Sequence, residues 1–119
     1  MNKKQKIGLY GEKLAEKFFL KKGYKILDKR FQTRFGEIDL IVGKGETIVF
    51  VEVKTRTSDV CGSPEESVNY HKIRKMKITA AQYIQKNNIV DKDMRLDCLA
   101  IELDLVKKTA RIRHHENIG

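Results

Sequence analysis

The sequence has little of what divides a chain into separate parts. It contains one proline in 119 residues and neither a low-complexity tract nor an internal repeat, so no linker is visible. A chain of this length can form one hydrophobic core and is too short for two. We therefore expect a single domain over residues 1–119.

Long apolar runs are also missing. The longest fall far below the roughly 20 residues that a helix needs to cross a membrane. The lysine-rich start of the chain lacks an apolar signal segment. The sequence therefore predicts no membrane association and a cytoplasmic location.

Cysteine is scarce, and the two that occur do not form the paired spacing of a zinc site or a disulfide framework. Because nothing marks secretion, we expect Cys61 and Cys98 to be reduced thiols. Cys61 lies in a predicted loop, where a catalytic nucleophile is the alternative interpretation. No histidine motif accompanies it, so we favour an inert thiol.

The features that are present centre on residues 34–56. Two β-branched, apolar runs flank the glycine-rich stretch 43–46, and this pattern predicts a β-hairpin. Three charged residues, Asp39, Glu52 and Lys54, interrupt runs that are otherwise apolar enough for buried strands. Ionised groups rarely occupy such positions without compensation, so these three call for an explanation.

The alternation of side chains along a strand places these charges together. Glu52 and Lys54 share a face, and any loop with an even number of residues puts Asp39 on that face too. A four-residue loop over 44–47 sets Asp39 directly opposite Glu52, whereas a loop of only 44–45 sets it one diagonal away. Either register brings two carboxylates and one ammonium together.

This combination of charges fits a metal site. Two carboxylates suit a hard, oxygen-loving divalent cation, Mg²⁺ or Mn²⁺, that keeps several waters. The ammonium of Lys54 supplies positive charge where phosphate oxygens become more negative during hydrolysis. The alternative is a structural salt bridge between Lys54 and one carboxylate, and the spacing alone leaves both interpretations open.

The order of motifs also resembles a known superfamily. An early helical Glu12, then Gly-Glu-Ile-Asp-Leu-Ile over 36–41 and Phe-Val-Glu-Val-Lys over 50–54, resembles the Asp, Glu-x-Lys signature of restriction-endonuclease-like nucleases. More narrowly, the chain from about Gly8 onward is similar to the small bacterial YraN family of predicted endonucleases, related to archaeal Holliday-junction resolvases. The resemblance implies a divalent-metal-dependent endonuclease acting on DNA, with branched or junction DNA as a candidate substrate.

The resemblance assigns roles to individual residues. It implies that Asp39 and Glu52 hold the metal and that Lys54 orients the attacking water or steadies the pentacoordinate phosphorus. It places an acidic residue at Glu12, where it would aid the metal or its water; a solvated Glu12, or one paired with the helix dipole, is the alternative. It also favours Lys72 as a residue at the edge of the site.

The predicted elements give an α/β fold with a restriction-endonuclease-like core, a mixed β-sheet flanked by helices in the order α-β-β-β-α-β-β. Periodicity predicts a first helix over about 8–22, in which Gly8 and Gly11 suggest close approach to the sheet. The Ser-Pro-Glu-Glu stretch at 63–66 predicts the start of a second helix that reaches about Lys86. Strands are expected over 24–33, the two hairpin arms, 95–105 and the edge 110–114, with a polar loop at 55–63.

Three residues near the C-terminus receive no site role. Asp97 is expected to be structural. His114 and His115 are adjacent in a strand and face opposite ways, so they cannot easily share one ligand site.

Charge is unevenly distributed along the chain. Lys and Arg number 25 against 16 acidic residues, and residues 1–36 hold 11 basic and 3 acidic side chains, whereas 37–59 hold 3 and 5. An acidic centre with basic flanks suits a polyanionic partner that surrounds a bound cation, with a merely solubilising charge as the alternative. Candidate nucleic-acid contacts are Arg34, Arg56, Lys72 and Lys75.

Other functions remain open from the sequence. No sequence-reading module is recognisable, so sequence-specific cleavage is not expected. A catalytically silent nucleic-acid-binding or adaptor protein would keep the same basic surface, and an RNA-directed nuclease would use the same residues. A homodimer follows from the resemblance alone, because cutting both strands of a junction needs two active centres.

Overall fold

A five-stranded sheet runs through the centre of the structure, with one helix on each face. The computed structural model describes residues 1–58 and 62–119. The predicted mixed sheet and the order α-β-β-β-α-β-β are confirmed. The elements are α1 (Lys3–Lys21), β1 (Lys25–Thr33), β2 (Gly36–Lys44), β3 (Thr47–Thr57), a 3₁₀ turn (Pro64–Ser67), α2 (Tyr70–Lys86), β4 (Asp93–Asp104) and β5 (Thr109–His115).

The strands lie in chain order, and only one neighbouring pair is parallel. β1, β2 and β3 form an antiparallel meander, β3 pairs in parallel with β4, and β5 returns antiparallel to β4. Parallel neighbours need a crossover connection, and α2 provides it on one face of the sheet. The other face is covered by α1.

The hairpin between β2 and β3 adopts one of the two predicted registers. Gly43 pairs with Ile48, as in the alternative that sets Asp39 opposite Glu52, and the pairing continues to a tight turn at 45–46. Gly45 has a φ of +59°, a conformation that glycine adopts at little cost in such turns. The diagonal register is therefore excluded.

The first helix begins five residues earlier than predicted. Asn2 caps it by accepting a hydrogen bond from the Gln5 amide, while the Gln5 side chain accepts one from the Asn2 amide. This capping box satisfies two backbone amides that a helix would otherwise leave unpaired, and so extends the helix to Lys3.

The two early glycines of α1 differ. A Cβ on Gly11 would overlap the Thr55 side chain, so this glycine allows α1 to approach β3, as predicted. A Cβ on Gly8 would meet nothing within 4 Å, and the prediction of close approach is wrong there. Gly11 therefore sets how closely the helix packs against the strand.

The predicted start of the second helix is wrong. Ser63 makes no side-chain capping bond, and the chain forms only the 3₁₀ turn before becoming extended at Val68. Glu65 instead accepts two hydrogen bonds from the Arg113 guanidinium of β5. The helix starts at Tyr70, where the Asn69 side chain accepts the capping bond.

β3 is longer than predicted and runs to Thr57, so Arg56 lies on a strand and not in a loop. Cys61, assigned to that loop, lies outside the described residues. Cys98 is a buried free thiol on β4.

Apolar residues cover both faces of the sheet. On the α1 side, Val49 and Val51 of β3 pack in one cluster with Ala15 and Phe19. On the α2 side, Phe50 lies in a second cluster with Met76, Ala80 and Tyr83 of that helix. Within the described part of the chain, no helix is long and apolar enough to cross a membrane.

Asp97 has the structural role that was predicted. It is fully buried and accepts hydrogen bonds from the Arg95 guanidinium and the Asn117 amide, with His114 Nε2 2.7 Å away. His115 instead lies against Glu65, so the two histidines face different partners, as expected.

Candidate functional site

The site lies where the pairing between β2 and β3 gives way to a side-chain contact. The regular register ends at Leu40 and Val51, and Asp39 and Glu52 are the next residues of the two strands. There, Asp39 Oδ2 accepts a hydrogen bond of 2.8 Å from the Val53 amide. The carboxylate of Asp39 is thereby fixed against the backbone of β3.

A local irregularity in the sheet accompanies Asp39. Arg30 of the neighbouring strand β1 lies between Lys29 and Phe31, which pair with the residues on either side of Asp39. Its φ is +52°, which is uncommon for a residue other than glycine. Ile38 packs on the α2 side and Leu40 on the α1 side, although residues two apart normally share a face. The alternation is therefore interrupted at Asp39.

Glu52 is a buried carboxylate paired with a lysine of the crossover helix. Its side chain is only 4% exposed, and the Lys72 ammonium lies 2.7 Å from Oε2. The contact is an ion pair without hydrogen-bond geometry, because Oε2 has no hydrogen-bond donor among the described residues. The ion pair that sequence reasoning offered as an alternative thus involves Lys72 in place of Lys54.

The carboxylate of Asp39 is surrounded by positively charged side chains. Burial raises the pKa of Asp39 above its usual range, while the Val53 amide and the charges of Lys72, Lys54 and Arg30 act to lower it. Lysines from β3 and α2 therefore both act on this carboxylate. The predicted set of Asp39, Glu52 and Lys54 lies together, with Lys72 as an additional cation.

Glu12 reaches the same region from α1. It lines a cleft of about 320 Å³ together with Asp39, and its Oε1 accepts a hydrogen bond of 3.0 Å from Arg30 Nε. Burial and the nearby charge of Asp39 raise the pKa of Glu12, although the hydrogen bond from Arg30 lowers it. Glu12 is therefore half-buried and paired with Arg30.

The spacing of the carboxylates limits the kind of metal site. Among the described residues, three potential metal ligands lie within 4.8 Å of one another only at Asp97, His114 and Glu116. The carboxylates of Glu12, Asp39 and Glu52 are spaced more widely than this. Arg95 already binds Asp97 and lies 3.6 Å from Glu116, so a cation of the protein itself occupies that cluster. The site at Asp39 would therefore supply few protein ligands, which suits a cation that keeps its waters.

Two basic grooves lie near the site, one lined by Glu12 and Lys54 and the other by Lys72. One, of about 850 Å³, runs between α1 and the end of β3, and the other, of about 720 Å³, runs between the β1–β2 turn and the start of α2. All four predicted nucleic-acid contacts lie along them: Arg56 in the first, with Lys54, and Arg34, Lys72 and Lys75 in the second.

Sequence reasoning missed three basic residues here. Lys3 and Lys4 line the first groove, because α1 begins at Lys3. The Asn-Lys-Lys-Gln stretch at 2–5 has the spacing of a capping box, and this pattern could have predicted a helix start at Lys3. Nothing in the sequence marks Arg30, since its role depends on a backbone conformation that arginine rarely adopts.

Comparison with known proteins gives the family. The sequence model described as "Uncharacterised protein family UPF0102" matches residues 11–112, most of the chain. The chain belongs to the UPF0102 family. This membership confirms the resemblance to the YraN family that the two motifs indicate.

The curated UPF0102 relatives match over nearly their whole length. The UPF0102 protein of Alkaliphilus oremlandii is 47% identical over 117 residues, 98% of each chain. That of Thermodesulfovibrio yellowstonii is 47% identical over 93% of each chain, and that of Clostridioides difficile is 44% identical over 98% of each. None of these names states an activity.

Proposed function

We propose that this protein is a divalent-metal-dependent nuclease that hydrolyses phosphodiester bonds of DNA, with branched or junction DNA as candidate substrate. The observation that carries the proposal is the grouping of Asp39 and Glu52 with Lys54 and Lys72 between two basic grooves. Buried carboxylates are costly unless they are compensated or used. Here Asp39 lines a cleft of about 320 Å³, and Glu52 pairs with Lys72, which lines one of the basic grooves.

The residues present fit a hard divalent cation. Glu52 Oε2 is buried and already carries the Lys72 ammonium at 2.7 Å, so a divalent cation would replace one cation by another at this oxygen. Asp39 uses Oδ2 for the Val53 amide, which leaves Oδ1 for the cation. When bound, Mg²⁺ or Mn²⁺ would acidify a coordinated water and polarise the phosphate. In our proposal Asp39 and Glu52 are its protein ligands.

The neighbouring side chains supply the remaining functions. Lys54 follows Glu52 by two residues on the same face of β3 and lines the first groove, where its ammonium would stabilise the charge that develops on phosphate oxygens. Glu12, whose pKa burial raises, would orient or deprotonate a water in the cleft that it shares with Asp39.

The flanking grooves explain how the protein would bind a polyanion. Lysine and arginine side chains line both grooves, and the chain as a whole has a net charge of +9. Because nucleic-acid binding of this kind releases counterions, affinity should fall steeply as salt rises. A binding constant that moderate salt leaves unchanged would contradict this part of the proposal.

A second candidate is a nucleic-acid-binding protein without catalysis. The observation that favours it is the ion pair of 2.7 Å between Lys72 and Glu52, which already neutralises one of the two carboxylates. Such a protein would bind DNA in a salt-sensitive manner and show no metal-dependent turnover. An RNA-directed nuclease would differ only in its substrate, so RNA belongs in the same test.

The deciding experiment joins metal binding to cleavage. Calorimetric titration of Mn²⁺ into the wild type, Asp39→Asn and Glu52→Gln should show binding that each substitution abolishes, because each removes an anionic ligand at nearly constant volume. Cleavage of branched, flapped, nicked and linear DNA and RNA should fail in the same two variants. Glu46→Gln, on an exposed turn residue, is the matched control.

Lys54→Met separates chemistry from binding. The metal should still bind, while turnover should fall more than DNA affinity, because the charge that stabilises the transition state is lost. Variants that retain Mn²⁺ binding and turnover, and that only lose thermal stability, would establish a structural role for these charges. Wild-type binding of DNA without any cleavage would favour the second candidate.

We also propose a homodimer on DNA, because cleavage of both strands of a junction requires two active centres. Sedimentation with and without junction DNA tests it. Monomers under both conditions would refute it.

A further inference from the structure

The groove between the β1–β2 turn and α2 has an exposed aromatic ring at its edge. Phe35, in the turn, is 42% exposed, and the Arg34 guanidinium carbon lies 4.8 Å from its ring centroid. Both residues line the groove. A solvated phenylalanine is ordinary by itself, but one that carries a guanidinium over one face of its ring, inside a basic groove, forms a cation–aromatic pair on which a base can stack.

The turn that carries this ring is held in place. The Phe35 amide donates a hydrogen bond of 3.1 Å to Thr33 Oγ1. Next to it, Gly36 lies so close to α2 that a Cβ there would be 2.9 Å from Thr79 Oγ1. The turn thus packs closely against the same helix that provides the opposite wall of the groove.

The groove extends from this ring to Lys72, the partner of Glu52. His71, Lys72 and Lys75 line its α2 wall, and Lys72 also contacts Glu52. Its volume of about 720 Å³ lies within the range typical of ligand sites. A ligand bound here would have cations along the α2 wall and an aromatic surface on the other wall, with the proposed metal site beyond Lys72.

We propose that this groove binds unpaired nucleotides, with a base stacked on the Phe35 and Arg34 surface and phosphates held by Lys75 and His71. Bases stack on aromatic rings and on guanidinium planes irrespective of sequence. In an intact duplex both faces of a base are already covered by its neighbours. The preferred nucleic acid therefore has unpaired nucleotides next to the cleavage site, as in a flap or a splayed junction. This inference rests on the proposed nuclease function for the position of the scissile phosphate.

The test compares a splayed DNA with the fully paired duplex of the same sequence. The splayed strand carries 2-aminopurine, whose fluorescence is quenched when it stacks, at one unpaired position. Binding to the wild type should quench it, and the splayed DNA should bind more tightly than the duplex. Phe35→Ala should abolish the quenching and weaken binding of splayed DNA about 10-fold, with duplex binding unchanged.

Two further variants make the result specific. Tyr10→Ala removes an aromatic ring that is 55% exposed on α1 and does not line the groove, so it should leave quenching and preference unchanged. Asp39→Asn should abolish cleavage and retain the quenching. Equal loss of duplex and splayed binding in Phe35→Ala, or quenching that survives it, would overturn the inference.

These outcomes are separable from those of the proposed function. If the protein cleaves no DNA but Phe35 is needed for 2-aminopurine quenching and for tighter binding of splayed DNA, the binding site is supported and the nuclease function is refuted. Cleavage that depends on Asp39 without a contribution from Phe35 would do the reverse.

Discussion

The ammonium of Lys72 lies 2.7 Å from Oε2 of Glu52, so a lysine of the crossover helix neutralises a carboxylate buried on β3. In the proposed enzyme a divalent cation would compete with this lysine for the same oxygen. The pair therefore connects the stability of the metal-free protein to its metal affinity.

Lys72→Met should reveal this competition. It leaves Glu52 buried and unpaired, and we expect the free energy of unfolding to fall by about 1–2 kcal/mol, less than for a fully buried pair because Lys72 is 34% exposed. Mn²⁺ should bind more tightly, since the competing cation is gone. Urea denaturation and calorimetry measure both effects.

The control for this change is Lys75→Met, which removes an exposed charge from the same groove and should alter neither stability nor Mn²⁺ affinity. Combining Lys72→Met with Glu52→Gln should restore most of the lost stability, because the unpaired charge disappears. Equal Mn²⁺ affinity in the wild type and Lys72→Met would contradict the competition.

The glycines of α1 give a matched pair of substitutions. Gly11→Ala should lower the free energy of unfolding by about 1–3 kcal/mol, because the new Cβ would overlap Thr55. Gly8→Ala meets open space and should raise it by up to about 1 kcal/mol through helix propensity alone. Thermal denaturation of both variants tests the prediction, and effects of the same sign would contradict the packing of α1 on β3.

Asp97 should make the protein sensitive to acid. Burial alone would raise the pKa of Asp97, but hydrogen bonds from Arg95, Asn117 and His114 outweigh it and lower the pKa. A carboxyl with a lowered folded pKa stabilises the fold above its unfolded pKa of about 3.9, and this contribution is lost as pH falls toward the folded value. Asp97→Asn should therefore reduce stability at pH 7 and flatten its decline below pH of about 4.

Denaturant titrations across that range check this, with Asp93→Asn, at an exposed position of the same strand, as control. Parallel pH profiles for the wild type and Asp97→Asn would show that the network does not govern acid unfolding.

The thiol of Cys98 should be unreactive in the folded protein. Burial raises its pKa to about 11, so little thiolate exists at pH 8 and the sulfur is shielded from reagents. In a Cys61→Ser background, alkylation of the native protein should be far slower than in urea. Comparable rates under the two conditions would mean that β4 opens readily.

The sequence predicts the sheet and much of the candidate site because both depend on alternation. Apolar runs broken by charge at Asp39, Glu52 and Lys54 indicate strands, a hairpin with two possible registers and a shared face. The position of Lys72 against Glu52 depends on how α2 crosses the sheet, which no local pattern contains. Family resemblance supplied that residue.

The errors also have physical causes. The Ser-Pro-Glu-Glu stretch at 63–66 has the local pattern of a helix start, but a tertiary contact between Glu65 and Arg113 accompanies a different backbone path. The positive φ of Arg30 and the change of face between Ile38 and Leu40 lie where β1 pairs with β2. Such features depend on residues distant in sequence, which propensity does not describe.

The parallel pairing of β3 with β4 has a consequence for the order of folding. The β1–β2–β3 meander joins residues close in the chain, whereas β4 can join β3 only after the connection through α2 has closed a long loop. We therefore expect the β2–β3 hairpin, which brings Asp39 and Glu52 together, to form early. The Lys72–Glu52 ion pair should form later, when α2 packs on the sheet. Pulse-labelled hydrogen exchange should protect β2 amides before those of β4, and simultaneous protection would refute this sequence of events.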